Sequence, residues 1–441
     1  MNRKAPSLTA NAGLHKLANL AISLLAGAWF TTAQGATAVP PKSAPAKAPA
    51  TAQTPAPGQT PAPAPNPPNT ASRLEKIGEA LFNDPALSEP RGTACLNCHL
   101  PGTGFANNNG SRAGVALGST ANSLGTRNAM ANFYSHLAPP FSFRVVGEDV
   151  DPQGGLFWDG RADTLNAQAL APLLNAKEMN NRTAASVVAK VAKASYARDF
   201  LAEFGPNIFK SPDLAFQKIG VAIAAFESRS TPTRFSSKYD HFIRGTVQLA
   251  PDEARGMAIF RDPERGNCAV CHTMNPTSAD PKDSLFTDFA FYAEGIPRNP
   301  KIPANANPSR FDLGVCGPDR SRPALPPNVP GNVSIERFCG TFKMPSLRNV
   351  AQRQAFMHNG VFTKLRDVVS FYATRNSDPK RWYGPAGVPN DLPTAYLPNI
   401  IRDRVPFNRP AQAGPALTGP EIDDLVAFLG TLSDGFQPPQ R

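Results

Sequence analysis

Apolar residues recur at intervals of three and four along most of the chain beyond residue 71, and strict alternation of polar and apolar residues is almost absent. Such spacing predicts amphipathic helices rather than strands. Breaks that are rich in Asn or contain Pro and Gly separate the helical stretches, of which the clearest are residues 72–84, 182–205, 213–229 and 421–435. The pattern therefore predicts a mainly α fold.

Two of the predicted helices are each followed by the motif Cys-x-x-Cys-His. The first stretch reads IGEALFNDPALSEPRGTACLNCH and ends at His99, and the second reads ARGMAIFRDPERGNCAVCH and ends at His272. Both contain a Gly, an apolar residue before Phe, Asp-Pro and then the cysteines, which indicates an internal duplication. We therefore expect two similar helical domains, an N-terminal one over residues 72–232 and a C-terminal one over residues 233–441.

Residues 1–38 have the composition of a secretory signal peptide. Basic residues precede the apolar run LANLAISLLAGAWF, which is too short to span a bilayer, and small residues at 36–38 suit cleavage. An uncleaved membrane anchor is the alternative. Residues 39–71 are rich in Pro and Ala without a hydrophobic period, which predicts a disordered, semi-extended linker. We expect a periplasmic protein with no transmembrane segment after cleavage.

The chain carries a formal net charge of +11, which falls to +8 without the signal peptide because residues 1–38 hold three basic residues and no acidic one. An excess of this size would steer an acidic redox partner toward the protein, and it is equally typical of an ordinary surface. No block of Lys and Arg with interleaved aromatic residues is present, so nucleic acid is not an expected partner.

The repeated motif has a specific chemical use. Two cysteines separated by two residues each form a thioether with a vinyl group of one haem, and the following His lies under the iron. A zinc site would need two more ligands at matching spacing, and a thioredoxin-like pair has no use for the His. We predict two covalently bound c-type haems, held by Cys95, Cys98 and His99 and by Cys268, Cys271 and His272.

Two further cysteines, Cys316 and Cys339, remain. In an oxidising compartment they are expected to form a disulfide across the intervening loop, whose many Pro and Gly residues give it no core of its own. Two free thiols are the alternative.

The order of the motifs resembles the bacterial di-haem cytochrome c peroxidases and their MauG-type relatives. The resemblance rests on LFNDPALSEPRGTACLNCHLPGTGFA, FWDGRADTLNAQALAPLLNAKEM, the second haem motif and FKMPSLRNVAQRQAFMHNGVFTKLRDVVSFYATR, and it covers nearly everything after Ser72. It implies two cytochrome c-like domains with one haem each. It also implies that hydrogen peroxide reacts at the N-terminal haem, while the C-terminal haem stores or relays electrons.

The same resemblance assigns three catalytic residues. Trp158 matches the tryptophan that lies between the haems, although it could simply fill the domain interface. Gln168 and Glu178 match the glutamine and glutamate of the peroxide pocket. A carboxylate there serves as base and then as acid while the O–O bond breaks, so Glu178 is the expected proton carrier. A solvated helix glutamate is the alternative.

Two departures from the family pattern concern the sixth iron ligands. Many relatives block the N-terminal haem with a second histidine at the position where this chain has Val115, which predicts an open site that needs no reductive activation. Tyr372 stands twelve residues after Gly360, where many peroxidases have methionine and MauG-type proteins have tyrosine. An anionic oxygen ligand should lower the potential of that haem. Met344 and Met357 are rival ligands.

The resemblance also implies a calcium ion near the domain interface, bound by the Asn128 side chain and by the backbone carbonyls of Arg353 and Ala355. Family peroxidases are often dimers, so a homodimer is expected. His136 is expected to be a structural or surface histidine.

These features favour a di-haem peroxidase with MauG-like ligation that uses hydrogen peroxide and a redox protein as electron donor. One alternative is a MauG-like enzyme that oxidises residues of a protein substrate, although MauG relays electrons through a tryptophan where this chain has Gly266. A different class of alternative is a di-haem electron carrier without catalysis.

Overall fold

The structure is a computed structural model that describes residues 71–229, 234–410 and 412–439. The predicted signal peptide and all but the last residue of the predicted linker lie outside these residues. The helices are α1 (Arg73–Phe82), α2 (Cys95–Cys98), α3 (Leu165–Leu174), α4 (Ala184–Val191), α5 (Ala197–Phe204), α6 (Pro212–Ser228), α7 (Lys238–Ile243), α8 (Pro251–Arg261), α9 (Leu365–Thr374), α10 (Pro379–Tyr383) and α11 (Gly419–Gly430). Over the described ranges, no helix is both long and apolar enough to cross a bilayer.

Besides these helices and several short 3-10 turns, the described residues form two small antiparallel strand pairs: β1 (Ser142–Val146) with β2 (Asp149–Gln153), and β3 (Phe291–Tyr292) with β4 (Phe342–Lys343). In the first pair Val146 lies opposite Asp149, and Gly147 allows the tight turn between them because its φ is +62°. The sequence pattern did not predict these strands, since each is five residues or shorter. The fold is mainly α, as expected.

The predicted helical stretch at 182–205 forms two helices, α4 and α5, rather than one. The break lies at residues 192–196, where the Ala194 amide donates to the Val191 carbonyl at 3.0 Å. The Tyr196 hydroxyl donates to Asp84 Oδ2 at 2.7 Å and so joins the break to the segment after α1. The apolar period continues through the break, which is why the sequence pattern does not locate it.

Two helix pairs repeat one packing arrangement. In the pair α1 and α6, a Cβ added at Gly78 would lie 1.9 Å from the Ala222 carbonyl oxygen. In the pair α8 and α11, a Cβ added at Gly256 would lie 2.0 Å from the Asp424 carbonyl oxygen. Each glycine is required because the backbones of the two helices touch there. The matching pairs explain why both stretches before the cysteines carry a glycine.

Each helix pair lies within its own apolar core. The core around α1 and α6 is drawn from residues 77–223 and includes Ile77, Leu81, Phe82, Leu173, Phe200 and Ile219. The core around α8 and α11 is drawn from residues 239–432 and includes Tyr239, Phe260, Phe286, Phe371, Leu425 and Phe428. Two separate cores of this kind place one Cys-x-x-Cys-His motif against each.

A disulfide joins Cys316 to Cys339, with an S–S distance of 2.07 Å. The loop that it closes does not form a separate core. Instead, Val315 and Phe338 pack against Val150 of β2, within a small apolar cluster. The loop is thereby held against the β1–β2 hairpin.

Candidate active site

Two cavities each meet one Cys-x-x-Cys-His motif. The first is lined by Cys98 and His99. The second is lined by Cys268, Cys271 and His272. One cavity beside each motif is what one prosthetic group per motif requires.

The two histidines are held in the same way. Nδ1 of His99 lies 3.0 Å from the Phe105 carbonyl oxygen, and Nδ1 of His272 lies 3.0 Å from the Phe286 carbonyl oxygen. An Nδ1–H donor to a carbonyl leaves Nε2 as the lone-pair nitrogen. Burial lowers the pKa of both imidazoles, that of His272 to about 4. A lowered pKa favours the neutral imidazole, which is the form that binds iron.

The cysteines of the two motifs fit covalent attachment of haem. All four lie outside disulfides, and burial raises the pKa of each thiol. A single turn joins each pair to its histidine: the His99 amide donates to the Cys95 carbonyl at 2.9 Å, and the His272 amide donates to the Cys268 carbonyl at 2.8 Å. Each motif thus presents together the two thiols that attach a c-type haem and the imidazole that binds its iron.

Gln168 and Glu178 both line the first cavity together with His99. Gln168 lies on α3, and Glu178 lies in the turn that follows this helix. That turn is closed by Asn175, whose carbonyl accepts from the Glu178 amide at 2.9 Å and whose side chain donates to Glu178 Oε1 at 2.7 Å. The glutamate is thereby held in one orientation toward the cavity.

The charge of Glu178 is set by its neighbours. Burial raises the pKa of this carboxyl, the positive charge of Arg161 and the hydrogen bond from Asn175 lower it, and the negative charge of Asp319 raises it. Arg161 and Asp319 line the same cavity. Arg161 was not predicted as a site residue, although the FWDGR stretch contains it. Asp319 is far from Glu178 in sequence, so no local pattern could have indicated it.

Arg161 is fixed in place by two contacts. Its Nη1 donates to both carboxylate oxygens of Asp159 at 3.0 Å, and its guanidinium carbon lies 3.7 Å from the centre of the Phe157 ring. Asp159 is fully buried. A cation fixed by a buried carboxylate and an aromatic face keeps its position beside the cavity.

Among the described residues that line the first cavity, His99 is the only histidine. Val115, at the position where many relatives carry a second histidine, is fully buried in a separate cluster with Ala113 and Ile302. His136 lies outside the cavity lining, and its Nδ1 is 3.1 Å from Nη1 of Arg234.

Tyr372 lines the second cavity together with His272. Its hydroxyl donates to Glu294 Oε1 at 2.9 Å, and burial followed by the charge of Glu294 raises the pKa of Tyr372. Burial also raises the pKa of Glu294 to about 7. Glu294 was missed because it precedes its partner by a long stretch of chain. Met344 and Met357 line this cavity as well, so the rival ligands are also within it.

Trp158 lines both cavities. Its side chain is 8% exposed, and its Nε1 donates to the Asn128 carbonyl at 2.8 Å. Its own carbonyl accepts from the Lys343 amide at 2.8 Å. The indole is therefore a fixed aromatic group between the two sites.

The three residues predicted to bind calcium lie close together. Asn128 Nδ2 donates to the Ala355 carbonyl at 3.0 Å, and Arg353 stands two residues before Ala355 in the chain. Calcium binding would require the Asn128 amide to present its oxygen instead. In the part of the chain that the structure describes, no group of three or more His, Cys, Asp and Glu side chains is placed to hold a metal ion. The calcium site stays a prediction.

Gly266 lines the second cavity at the position of the MauG relay tryptophan. A Cβ added there would lie 2.3 Å from the Ile259 carbonyl oxygen of α8. No side chain fits at this position without moving the backbone of the helix.

Comparison with known proteins identifies the family. The model of the di-haem cytochrome c peroxidases matches residues 72–248. The methylamine utilization protein MauG of Paracoccus denitrificans is 33% identical over 373 residues, which cover 82% of this chain and 88% of that protein. The chain belongs to the di-haem cytochrome c peroxidase and MauG family.

Other members of this family are similar over a comparable length. The cytochrome c551 peroxidase of Pseudomonas aeruginosa is 24% identical over 372 residues, covering 83% of this chain and 80% of that protein. The solved structure of the diheme peroxidase BthA from Burkholderia thailandensis is 40% identical, with a TM-score of 0.75, and covers 82% of this chain and 86% of that chain. Membership implies two haem groups and a haem oxidoreductase that uses peroxide.

Proposed function

We propose that this protein is a periplasmic di-haem peroxidase with MauG-like ligation. Hydrogen peroxide reacts in the cavity of His99, and the cavity that contains Tyr372 would hold the haem that supplies the route for electrons or oxidising equivalents. The observation that carries this proposal is that different side chains line the two cavities. Gln168 and Glu178 line the cavity with His99, whereas Tyr372 lines the cavity with His272.

The residues that would hold the haems are those of the two motifs. Cys95 and Cys98 would form the thioethers of the first haem with His99 as proximal ligand, and Cys268, Cys271 and His272 would do the same for the second. When bound, the haems supply the redox-active iron at which peroxide is reduced. Tyr372 would be the second ligand in the second cavity.

Glu178 has the position and chemistry of the proton carrier. A carboxylate beside the bound peroxide accepts a proton from one oxygen and returns it to the other, which leaves as water. Asn175 orients the carboxylate, and burial brings its pKa closer to the pH at which the proton must move. Gln168 adds a polar contact on the same wall. Trp158 lines both cavities, which supports a role in electron transfer between them.

A Glu178→Gln variant tests this proposal. We expect the rate of peroxide cleavage to fall about 100-fold or more, since general acid–base catalysis contributes at least that much. A matched Glu203→Gln variant, which changes an exposed glutamate of α5, should behave like the wild type. Normal cleavage in the Glu178 variant would remove the proposed proton carrier. A resting protein with no high-spin ferric signal, whose optical spectrum peroxide leaves unchanged, would instead be a plain electron carrier.

A second candidate function is the oxidation of residues in a partner protein. It is favoured by the similarity to MauG and by Tyr372 in the cavity of His272. Gly266 leaves no room for the MauG relay tryptophan, so such a reaction would need another route to the surface. The two functions separate in one measurement. A peroxidase consumes peroxide continuously only when a reduced cytochrome is supplied, whereas the MauG-like enzyme keeps its oxidising equivalents until a protein substrate arrives.

A further inference from the structure

The disulfide-closed loop, residues 316–339, reaches back to the cavity that contains His99. Arg320 of this loop donates from Nη1 to the Asp159 carbonyl at 2.6 Å, and its guanidinium carbon lies 4.3 Å from the centre of the Phe141 ring. These contacts hold the loop against the N-terminal half of the protein.

A second contact lies just before the disulfide. Arg127 makes a bidentate pair with Asp312, with Nε and Nη2 at 2.6 and 2.7 Å from the two carboxylate oxygens. Nη1 of Arg127 donates to Asp159 at 2.7 Å, and its Nε lies 3.5 Å from Asp319 Oδ2. Arg127 is nearly buried. The segment around the disulfide is therefore fixed relative to the cavity by charge-assisted hydrogen bonds.

Two charged side chains of this segment, Asp319 and Arg310, line the cavity together with Glu178. The side chain of Asp319 is 37% exposed, so it reaches both solvent and cavity. Asp319 therefore lies at a solvent-facing edge of the cavity, which we call its mouth.

The inner wall of the same cavity carries cationic groups. Arg161 and Arg353 line it, and the Arg353 guanidinium is buried with Nε lacking a hydrogen-bond partner among the described residues. Lys343 lines it as well, although burial lowers the pKa of its ammonium group to about 7. Positive groups in a cavity of low polarity attract small anions. Anions such as azide and chloride would compete with peroxide in this cavity, because His99 is the only histidine among its described lining residues. Hydrogen peroxide is uncharged near neutral pH and feels no such attraction.

We propose that Asp319 makes the peroxide pocket selective for a neutral ligand, because its carboxylate at the mouth opposes the entry of anions. Arg310 at the same mouth has the opposite effect. This inference rests on the proposed function, in which the cavity of His99 is the peroxide site. A residue supplied by the C-terminal half thus contributes to the choice of ligand in the cavity of His99.

The experiment measures how fast azide binds to the oxidised holoprotein, from the change in its haem absorption bands. We expect Asp319→Asn to accelerate azide association roughly threefold at low salt, as removal of one charge near a binding path does. Arg310→Gln should slow it by a similar factor. The effects should vanish near 1 M salt, where the screening length is about 3 Å. The ratio of the azide rate to the peroxide rate should rise in Asp319→Asn.

Matched controls lie in the same loop. Arg322 and Glu336 form an ion pair with an Nη1–Oε1 distance of 2.8 Å, and their side chains are 43% and 49% exposed. They lie outside the cavity lining, so Glu336→Gln and Arg322→Gln should bind azide at the wild-type rate.

Two outcomes would overturn the inference: an unchanged azide rate in Asp319→Asn, or acceleration in both Asp319→Asn and Arg310→Gln, which would indicate a loosened loop instead of a charge effect. The proposed function is tested separately. If the two variants change the azide rate in opposite directions but peroxide does not react, the role of Asp319 is supported and the peroxidase proposal is contradicted. If peroxide reacts normally and the two variants bind azide at the wild-type rate, the peroxidase proposal is supported and the role of Asp319 is contradicted.

Discussion

The Tyr372 hydroxyl donates to Glu294 at 2.9 Å inside the cavity of His272. If Tyr372 binds the iron, Tyr372→Met should raise the reduction potential of the second haem by roughly 100 mV or more, because a thioether stabilises reduced iron better than a phenolate oxygen. Spectroelectrochemical titration of the holoprotein measures this reduction potential. Tyr383→Phe is the control, since Tyr383 is buried nearby and donates to the Gly295 carbonyl without lining the cavity. An unchanged potential would point to Met344 or Met357 as ligand.

The pH dependence of peroxide cleavage should report on Glu178. The proposed base must be ionised, and burial raises its pKa above the ordinary value of 4.5. The rate should therefore rise with pH through that raised pKa. Arg161→Gln removes the cation that lowers the pKa, so the rise should move to higher pH. Stopped-flow measurement of one turnover across the pH range gives both curves. A rise that stays in place in Arg161→Gln would show that another group titrates.

Glu227 should make the protein less stable as the pH rises. Burial raises the pKa of this carboxyl from 4.5 to about 7, and its Oε2 has no hydrogen-bond partner among the described residues. Between these two pH values the unfolded state releases the proton while the folded state keeps it. Stability therefore falls across this window and is level above it.

A Glu227→Gln variant removes this titration. Its free energy of unfolding near pH 8 should exceed that of the wild type by roughly 1–3 kcal/mol, and the two proteins should converge near pH 4. Asn132 can still donate to the amide oxygen that replaces Oε1. Urea unfolding at several pH values is the measurement, and a constant difference at all pH values would contradict the assignment.

The backbone contact between α8 and α11 predicts a strong effect of Gly256→Ala. The added Cβ would lie 2.0 Å from the Asp424 carbonyl oxygen, so the helices must separate, at a cost of about 1–3 kcal/mol. Gly430→Ala is the matched control, because Gly430 also lies in this helix pair and has no atom within 4 Å of the added Cβ. Thermal unfolding should separate the two variants clearly. Equal stability would mean that the helices do not touch at Gly256.

The helices around Gly78 and Gly256 were predictable because their apolar period is local. The motif residues were predictable for the same reason, since Cys98 and His99 are adjacent in sequence. The break between α4 and α5 was not, because the apolar period continues through it, and its Tyr196 contacts a residue 112 positions earlier. The short β1–β2 hairpin was missed because strands of five residues are too short to show a reliable alternation of polar and apolar positions.

The sequence by itself determined that two haem-binding motifs stand in a mainly α chain. The two cysteines and the histidine of each motif lie within five consecutive residues, so the motif can be recognised locally. Resemblance then directed attention to Glu178 and Tyr372. Only the tertiary structure decided that Glu294 accepts from Tyr372 and that Asp319 reaches the cavity of Glu178. Those partners come from segments far apart in the chain, and no spacing along a sequence encodes which loop is folded over which cavity.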